Sequence, residues 1–203
     1  LPVAEETGLI LPLGEWVLRN AMHRAREWRE AGHPLERVSV NVSAVQVQRQ
    51  DLPQIVRRVV REAQIEPVCL ELEVTEASFM SRTEHAIEVL EALNDMGVEL
   101  AIDDFGTGYA SLGYLKNLPV STLKIDKSFV GDLPEDASDT ALVRTILAMG
   151  HSLGLEVIAE GVETEEQADL LAREGCRLAQ GFLYSPPVTV TEFTHLLGGE
   201  EQT

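Results

Sequence analysis

Apolar residues recur along the chain in two alternating patterns. Short, nearly continuous apolar runs alternate with longer segments in which apolar residues return every three or four positions. The short runs predict strands over Val38–Val42, Cys69–Val74, Glu99–Ile102, Thr122–Ile125, Glu156–Ala159 and Arg177–Ala179. The longer segments predict helices over Glu15–Ala31, Leu52–Gln64, His85–Met96, Asp139–Leu153 and Thr164–Glu174. Alternation of this kind is typical of a parallel α/β fold.

Nearly every predicted strand ends in a polar side chain. These residues are Asn41, Glu73, Asp103, Asp104, Lys124, Glu160 and Gln180. Polar residues at the carboxyl ends of many consecutive strands are typical of the catalytic face of a TIM barrel, whereas an open doubly wound sheet gathers them at one switch point. The chain also lacks the glycine-rich phosphate-loop motifs of the open sheet. The sequence therefore favours a TIM-type (β/α) barrel.

The strand count is short of a complete barrel. Six strands are predicted where a barrel has eight, and 203 residues are fewer than the roughly 250 that are typical. No linker, repeat or low-complexity segment marks a second domain. We therefore expect one barrel domain over residues 1–203, incomplete at its N-terminus and lacking its first two strands.

Net charge, the length of apolar runs and the cysteine spacing limit the binding partners and the compartment that the sequence favours. A net charge of −18 argues against DNA binding, although bound divalent cations can reverse the sign of an acidic pocket and admit a phosphate substrate. No apolar run approaches the roughly 20 residues that span a bilayer, so no membrane contact is expected from this segment. Cys69 and Cys176 are far apart and form no CxxC, which predicts buried thiols in a reducing, cytoplasmic setting.

The strand ends offer the chemistry of a metal site. Their carboxylates and the Asn41 amide are hard oxygen ligands, which suit Mg²⁺ or Mn²⁺ rather than zinc. The adjacent pair Asp103 and Asp104 repel one another unless a cation lies between them. Lys124 lies within a strand, where an ammonium needs anionic partners. The alternative is a lysine that extends from the sheet edge into solvent.

Six short segments follow one another along the chain: residues 41–43 (Asn-Val-Ser), 71–76 (Glu-Leu-Glu-Val-Thr-Glu), 103–109 (Asp-Asp-Phe-Gly-Thr-Gly-Tyr), 123–126 (Leu-Lys-Ile-Asp), 159–163 (Ala-Glu-Gly-Val-Glu) and 180–182 (Gln-Gly-Phe). These segments and their order resemble the EAL domain family, the bacterial phosphodiesterases of cyclic di-GMP. The opening residues 1–10 also resemble the region that follows the family's first motif. The resemblance covers essentially the whole chain. It implies a barrel that hydrolyses one phosphodiester of cyclic di-GMP to linear pGpG with two ions, Mg²⁺ or Mn²⁺.

The resemblance also implies roles for the strand-end residues. The implied metal ligands are Asn41, Glu73, Asp103, Asp104 and Glu160, with Asp103 shared between the ions. Lys124 resembles the residue that binds the attacking water, Glu160 a ligand or water-positioning carboxylate, and Gln180 a residue that holds a water near the substrate. Glu76 resembles the anchor of the glycine loop. That loop, Phe105–Leu112, resembles the segment that couples the site to dimerisation.

One family feature is missing. No Glu-Ala-Leu lies upstream of Asn41, and the arginine that follows that motif is missing too; Glu91–Leu93 repeats the letters inside a predicted helix. We therefore expect hydrolysis from the complete domain and impaired activity from these residues alone. The alternatives are a degenerate domain that binds cyclic di-GMP or a protein partner without catalysis, and a barrel that hydrolyses another phosphoester. The expected partners are cyclic di-GMP and a second copy of the chain, and an upstream sensory or GGDEF-type domain is left open.

Overall fold

The computed structural model describes residues 1–76, 84–108 and 115–198, which form two compact units. Within the described residues, the first unit contains 1–74, 84–99 and 187–198, and the second contains 75–76, 100–108 and 115–186. Helices and strands are numbered here in chain order.

The first unit pairs two parallel strands with six helices in its described part. The strands are β1 (Val38–Val42) and β2 (Leu70–Thr75), and a short 3-10 turn, Pro67–Cys69, leads into β2. The helices are α1 (Pro2–Thr7), α2 (Ile10–Glu30), α3 (Ala44–Arg49), α4 (Leu52–Ala63), α5 (Glu84–Asn94) and α9 (Val190–Leu197).

Helix α2 is the central packing element of this unit. It buries Leu18, Met22 and Ala25, which lie on one face at helical spacing, and it packs against α4 and β1. The far end of α2 holds α9, because the Trp28 ring lies 5.0 Å from the Phe193 ring and its Nε1 donates a 2.8 Å hydrogen bond to the Thr194 hydroxyl.

The second unit is a four-stranded parallel sheet with three described helices. Its strands are β3 (Glu99–Phe105), β4 (Thr122–Ile125), β5 (Glu156–Glu160) and β6 (Leu178–Gln180). Its helices are α6 (Lys127–Val130), α7 (Ala137–Leu153) and α8 (Glu165–Arg173). Each strand pairs in parallel with the next one in sequence. Sequential pairing has no switch point, which agrees with a barrel-type connection rather than a doubly wound one.

The interior of the second unit is apolar and close-packed. Leu123, Ile125 and Ala159 are fully buried in β4 and β5. Helix α7 approaches β5 at Gly150, where a Cβ would lie 2.3 Å from a Val157 methyl group. The carboxyl ends of these strands are therefore supported by a well-packed apolar interior.

The structure contains all six predicted strands and confirms the parallel α/β class. Strands β1 and β4 have the predicted limits, whereas β3 continues three residues beyond its predicted end at Ile102. Short helices α3, α6 and α9 were not predicted, and α2 begins at Ile10 rather than Glu15. The single-domain organisation over residues 1–203 stays a prediction.

Two further sequence expectations can be compared with the described residues. Both cysteines are buried free thiols, as predicted. Among the helices that the structure describes, none has the length and apolar character needed to cross a membrane.

Candidate functional site

Three carboxylates meet at the carboxyl edge of the second unit's sheet. Asp103, Asp104 and Glu160 each offer one oxygen, and these oxygens all lie within 4.8 Å of one another. Asp103 and Asp104 come from β3 and Glu160 ends β5. A concentration of hard anionic oxygens of this kind suits a divalent cation such as Mg²⁺ or Mn²⁺.

A bulge in β3 brings two neighbouring side chains to the same cluster. Successive residues of a regular strand face opposite sides of the sheet, so Asp103 and Asp104 would diverge. The register changes here: Ile102 pairs with Leu123 and Phe105 with Ile125, which leaves two β3 residues opposite the single residue Lys124. Asp104 has a positive φ of 54°, and Asp tolerates this conformation better than most residues. The bulge therefore lets one strand deliver two carboxylates.

Lys124 lies opposite the bulge and is almost completely buried, with 2% of its surface exposed. Its Nζ lies 2.6 Å from Glu160 Oε1 and 3.8 Å from Asp103 Oδ1. Burying an ammonium is unfavourable unless anions compensate it, and both carboxylates do so here. The alternative of a lysine extending into solvent is therefore wrong.

Asp126 lies near Asp104 in the loop after β4, and the strand-end pattern did not predict it as a site residue. Its carboxylate accepts hydrogen bonds from the Ser128 backbone N–H at 3.0 Å and from the Ser128 hydroxyl, and so caps α6. It also lies close enough to the Asp104 carboxyl group to raise the pKa of Asp104. The usable sequence signal was its position two residues after Lys124, because alternate residues of an extended segment share a face.

The pKa values of Asp104 and Asp126 are shifted in opposite directions. Burial and then the Asp103 charge raise the pKa of Asp104, and its hydrogen bond to Asp126 acts the same way. Burial also acts to raise the pKa of Asp126, but the hydrogen bonds from Ser128 and Asp104 outweigh it and lower that pKa. Without a cation, Asp104 is therefore more easily protonated than Asp126. A bound divalent cation would favour the ionised form of both groups.

Glu76 holds the backbone that follows the bulge. Its Oε2 accepts hydrogen bonds from the N–H groups of Gly106 at 3.0 Å and Gly108 at 3.3 Å, and the residue is 3% exposed. A Cβ at Gly108 would lie 2.5 Å from Glu76 Oε1, and one at Gly106 would lie 2.8 Å from the Phe129 ring. Both glycines are therefore needed for this close approach. Residues 109–112 of the predicted loop lie outside the described residues.

Gln180 ends β6 directly opposite Glu160 in the strand register. The loops beyond the two strands are joined, because the Val162 N–H donates to the Gln180 carbonyl at 3.0 Å. Gly181 permits this contact, since a Cβ there would lie 2.1 Å from the Val162 carbonyl oxygen. The Gln180 side chain is thus carried at the same sheet edge as Glu160.

The first unit brings together the other two predicted ligands. Asn41 near the end of β1 pairs in register with Glu73 of β2, and Glu73 is 5% exposed. Ser43 then begins α3, where its side chain and Gln46 form a reciprocal capping box. Adjacent parallel strands therefore place this amide and this carboxylate side by side. Their convergence with Asp103, Asp104 and Glu160 on one centre stays a prediction.

Comparison with known proteins gives consistent matches over nearly the whole chain. The sequence model of the EAL domain family matches residues 1–187. The bifunctional diguanylate cyclase/cyclic di-GMP phosphodiesterase MucR of Pseudomonas aeruginosa is 47% identical over 188 residues, which are 93% of this chain and 27% of that protein. The cyclic di-GMP phosphodiesterase NbdA of the same organism is 43% identical over 195 residues, which are 96% of this chain and 25% of that protein.

A solved structure agrees with these sequence matches. The PaMucR phosphodiesterase in complex with c-di-GMP has a TM-score of 0.92 to this chain at 46% identity, with 95% of this chain and 78% of that one covered. The likeness confirms the predicted barrel-type α/β fold class. The chain spans about a quarter of the length of the two curated relatives. With the family model matched over residues 1–187, the chain belongs to the EAL domain family.

Proposed function

We propose that the complete domain hydrolyses one phosphodiester bond of cyclic di-GMP, giving linear pGpG, with the help of two divalent ions, Mg²⁺ or Mn²⁺, and that residues 1–203 alone have impaired activity. The observation that carries the proposal is the buried Lys124 ammonium, which contacts Glu160 and Asp103 within the three-carboxylate cluster. A plain structural ion pair needs one carboxylate, and the additional acids concentrate negative charge that a cation would balance. The named relatives MucR and NbdA support the choice of substrate.

The donor set fits the ions. The oxygens of Asp103, Asp104 and Glu160 are close enough to share a cation, and the raised pKa of Asp104, caused by burial and Asp103, reflects charge crowding that a cation would relieve. The family resemblance assigns Asn41 and Glu73 the same ligand role and gives Asp103 to both ions. When bound, such a pair of ions activates a water molecule and stabilises charge on the attacking and leaving oxygens.

The chain's own residues orient the reactants. Lys124 donates hydrogen bonds from Nζ to the attacking water and to a phosphate oxygen, where negative charge grows in the transition state. Glu160 holds that ammonium in place through its 2.6 Å contact and positions the water. Gln180, opposite Glu160 in the register, holds a second water near the substrate. The water oxygen forms a bond to phosphorus as the water gives up a proton, one phosphorus–oxygen ester bond breaks, and the departing oxygen takes up a proton in exchange.

Glu76 keeps the loop after β3 in the conformation that the reaction needs. Its hydrogen bonds to Gly106 and Gly108 start the segment that the family resemblance associates with dimerisation. A second copy of the chain would then influence the β3 carboxylates through this backbone. The proposed partners are therefore cyclic di-GMP and a second copy, within a longer protein whose other part is a sensory or GGDEF-type domain.

The proposed location is the cytoplasm. Both cysteines are free and buried, which suits a reducing compartment.

A product assay on the purified full-length protein tests the proposal. The protein is incubated with cyclic di-GMP and either Mg²⁺, Mn²⁺ or a chelator, and products are separated chromatographically. We expect pGpG with either metal, no product with the chelator, and a loss of at least about 10³-fold in kcat for Asp103→Asn, because the charge shared between two cations is removed.

A second measurement separates catalysis from binding. Calorimetric titration of the protein with cyclic di-GMP in the presence of Ca²⁺ reports binding independently of turnover. Tight binding without pGpG formation under any metal would favour the degenerate binding module. Hydrolysis of other phosphoesters at a comparable kcat/KM would favour the less specific phosphoesterase.

A further inference from the structure

A buried carboxylate in β2 has no role in the proposed reaction. Glu71 is 1% exposed and lies two residues before Glu73 on the same face of the strand. In the β1–β2 register it pairs with Ser39, which lies two residues before Asn41. The two strands therefore carry two consecutive polar rungs: Ser39 with Glu71, and Asn41 with Glu73.

Both oxygens of Glu71 are engaged by β1 and the residue that precedes it. The Ser39 hydroxyl donates to Oε1 at 2.8 Å, and Arg37 Nη1 donates to Oε2 at 3.2 Å. The two donors belong to Arg37 and Ser39, which are two positions apart in the chain. Together they fix the rotation of the Glu71 carboxylate and the register of β1 against β2.

Stability alone does not account for this arrangement. A buried ion pair is often no better for stability than an apolar residue of the same size, and its best attested benefit is a unique register. The apolar residues of β1, Val38, Val40 and Val42, repeat every second position and fit a two-residue shift equally well. The polar rung distinguishes the observed register from such a shift.

From these contacts we infer that Arg37, Ser39 and Glu71 are positioning residues. They fix the position of Asn41 relative to Glu73 along the two strands and so determine the geometry of this part of the metal site. This inference rests on the proposed function for the ligand role of Asn41 and Glu73. The three residues act through the strands rather than by touching metal or substrate. Partners that orient metal ligands typically change metal affinity by about 10–100-fold when they are removed.

Four variants of the full-length protein test the inference. Ser39→Ala removes one hydrogen-bond donor to Glu71, and Ser39→Thr keeps it. Glu71→Gln removes the negative charge that pairs with the Arg37 guanidinium. The matched control is Val40→Ala, because Val40 lies on the same strand, is 5% exposed and faces the other side of the sheet. Mn²⁺ affinity is measured by electron paramagnetic resonance titration, and stability by urea unfolding.

We expect the apparent Kd for Mn²⁺ to rise about tenfold in Ser39→Ala and Glu71→Gln, and to change less than about twofold in Ser39→Thr and Val40→Ala. Val40→Ala should lower the urea midpoint at least as much as Ser39→Ala. Saturating Mn²⁺ should restore kcat in Ser39→Ala to within about threefold of the unsubstituted protein, which a merely destabilised strand would not show.

Two results would overturn the inference, and they are distinguishable. Normal Mn²⁺ binding by the unsubstituted protein with unchanged affinity in Ser39→Ala and Glu71→Gln would leave the proposed function intact and show that the rung serves stability alone. Failure of the unsubstituted protein to bind Mn²⁺ would overturn the proposed metal site and this inference with it.

Discussion

The two units present polar side chains at their strand ends by different backbone devices. In the first unit, a regular parallel register pairs Asn41 with Glu73, so each strand contributes one side chain, and neither strand contains a residue with positive φ. In the second unit, the bulge in β3 sets Asp103 and Asp104 together opposite Lys124, with a positive φ at Asp104. In the first unit, the position of each side chain thus depends on the neighbouring strand. In the second unit, the bulge places two carboxylates on one strand.

This difference determines what each region needs for stability. A positive φ at a residue other than glycine costs about 1–3 kcal/mol and persists only when its surroundings enforce it. Adjacent carboxylates add electrostatic repulsion, which the buried Lys124 ammonium partly offsets. The first unit has the Ser39–Glu71 pair beside Asn41 and Glu73, while the second has the Lys124 ammonium within its carboxylate cluster.

The largest expected effect comes from removing the Lys124 ammonium. Lys124→Ala should lower kcat by about 10²–10³-fold, because a donor aimed at the developing charge is lost. Mn²⁺ affinity should change far less, since no metal ligand is removed. Lys116→Ala is the matched control, because Lys116 is exposed in the same unit.

Steady-state kinetics and Mn²⁺ titration of these variants check the prediction. Lys124→Met, which keeps most of the side-chain volume, should match Lys124→Ala in kcat if charge rather than a cavity is responsible. If Lys124→Ala weakened metal binding as much as Asp103→Asn, the lysine would have a structural role instead.

A change of backbone preference at Asp104 tests the bulge itself. Asp104→Val should destabilise the domain by about 1–3 kcal/mol, because a β-branched residue strongly disfavours positive φ. Asp104→Asn should keep the conformation and lose only the charge. Both should weaken Mn²⁺ binding, but Asp104→Val should also lower kcat at saturating metal by about 10-fold more, because the bulge that sets Asp103 beside Lys124 is lost.

Urea unfolding and kinetics at saturating Mn²⁺ separate the two variants. Asp104→Gly serves as the backbone control, since glycine accepts positive φ without a carboxylate. Equal stability of Asp104→Val and Asp104→Asn would show that the bulge does not depend on this residue's conformational preference.

The sequence predicted the fold more completely than the geometry of the site. Apolar periodicity located all six strands, because burial on both faces of a parallel strand leaves a clear pattern. It placed the end of β3 at Ile102, since a strand that continues through Asp103 and Asp104 requires a bulge, and no single-residue preference encodes one. Asp126 was missed because its role depends on contacts with Asp104 and Ser128, which lie in the fold rather than in the pattern.

A smaller effect is expected at the loop that follows the bulge. Gly108→Ala places a Cβ 2.5 Å from Glu76 Oε1 and should displace that carboxylate from its hydrogen bonds to the loop. We expect kcat to fall about 10-fold, in line with the misplacement of groups that hold a site. Gly131→Ala is the matched control, because its nearest contact would be 3.4 Å away and its φ is not positive.

Kinetic assays of the two alanine variants, with circular dichroism to verify folding, check this prediction. Glu76→Gln should resemble Gly108→Ala, since a neutral amide oxygen accepts more weakly from the two N–H groups. Full activity in Gly108→Ala would show that the Glu76 contact is dispensable for the carboxylate cluster.

The smallest expected effect concerns a thiol in the second unit and the pH dependence of its stability. Burial raises the pKa of Cys176 above its ordinary value, and hydrogen bonds to backbone groups only partly oppose this. The folded state therefore holds the thiol proton more tightly than the unfolded chain, so this contribution is complete below the unfolded pKa near 8.5 and is lost as pH rises through the folded value. Cys176→Ala should lack this alkaline decrease in the free energy of unfolding. Urea unfolding of both proteins between pH 7 and about pH 10 measures the difference, and parallel curves over that range would contradict the assignment to Cys176.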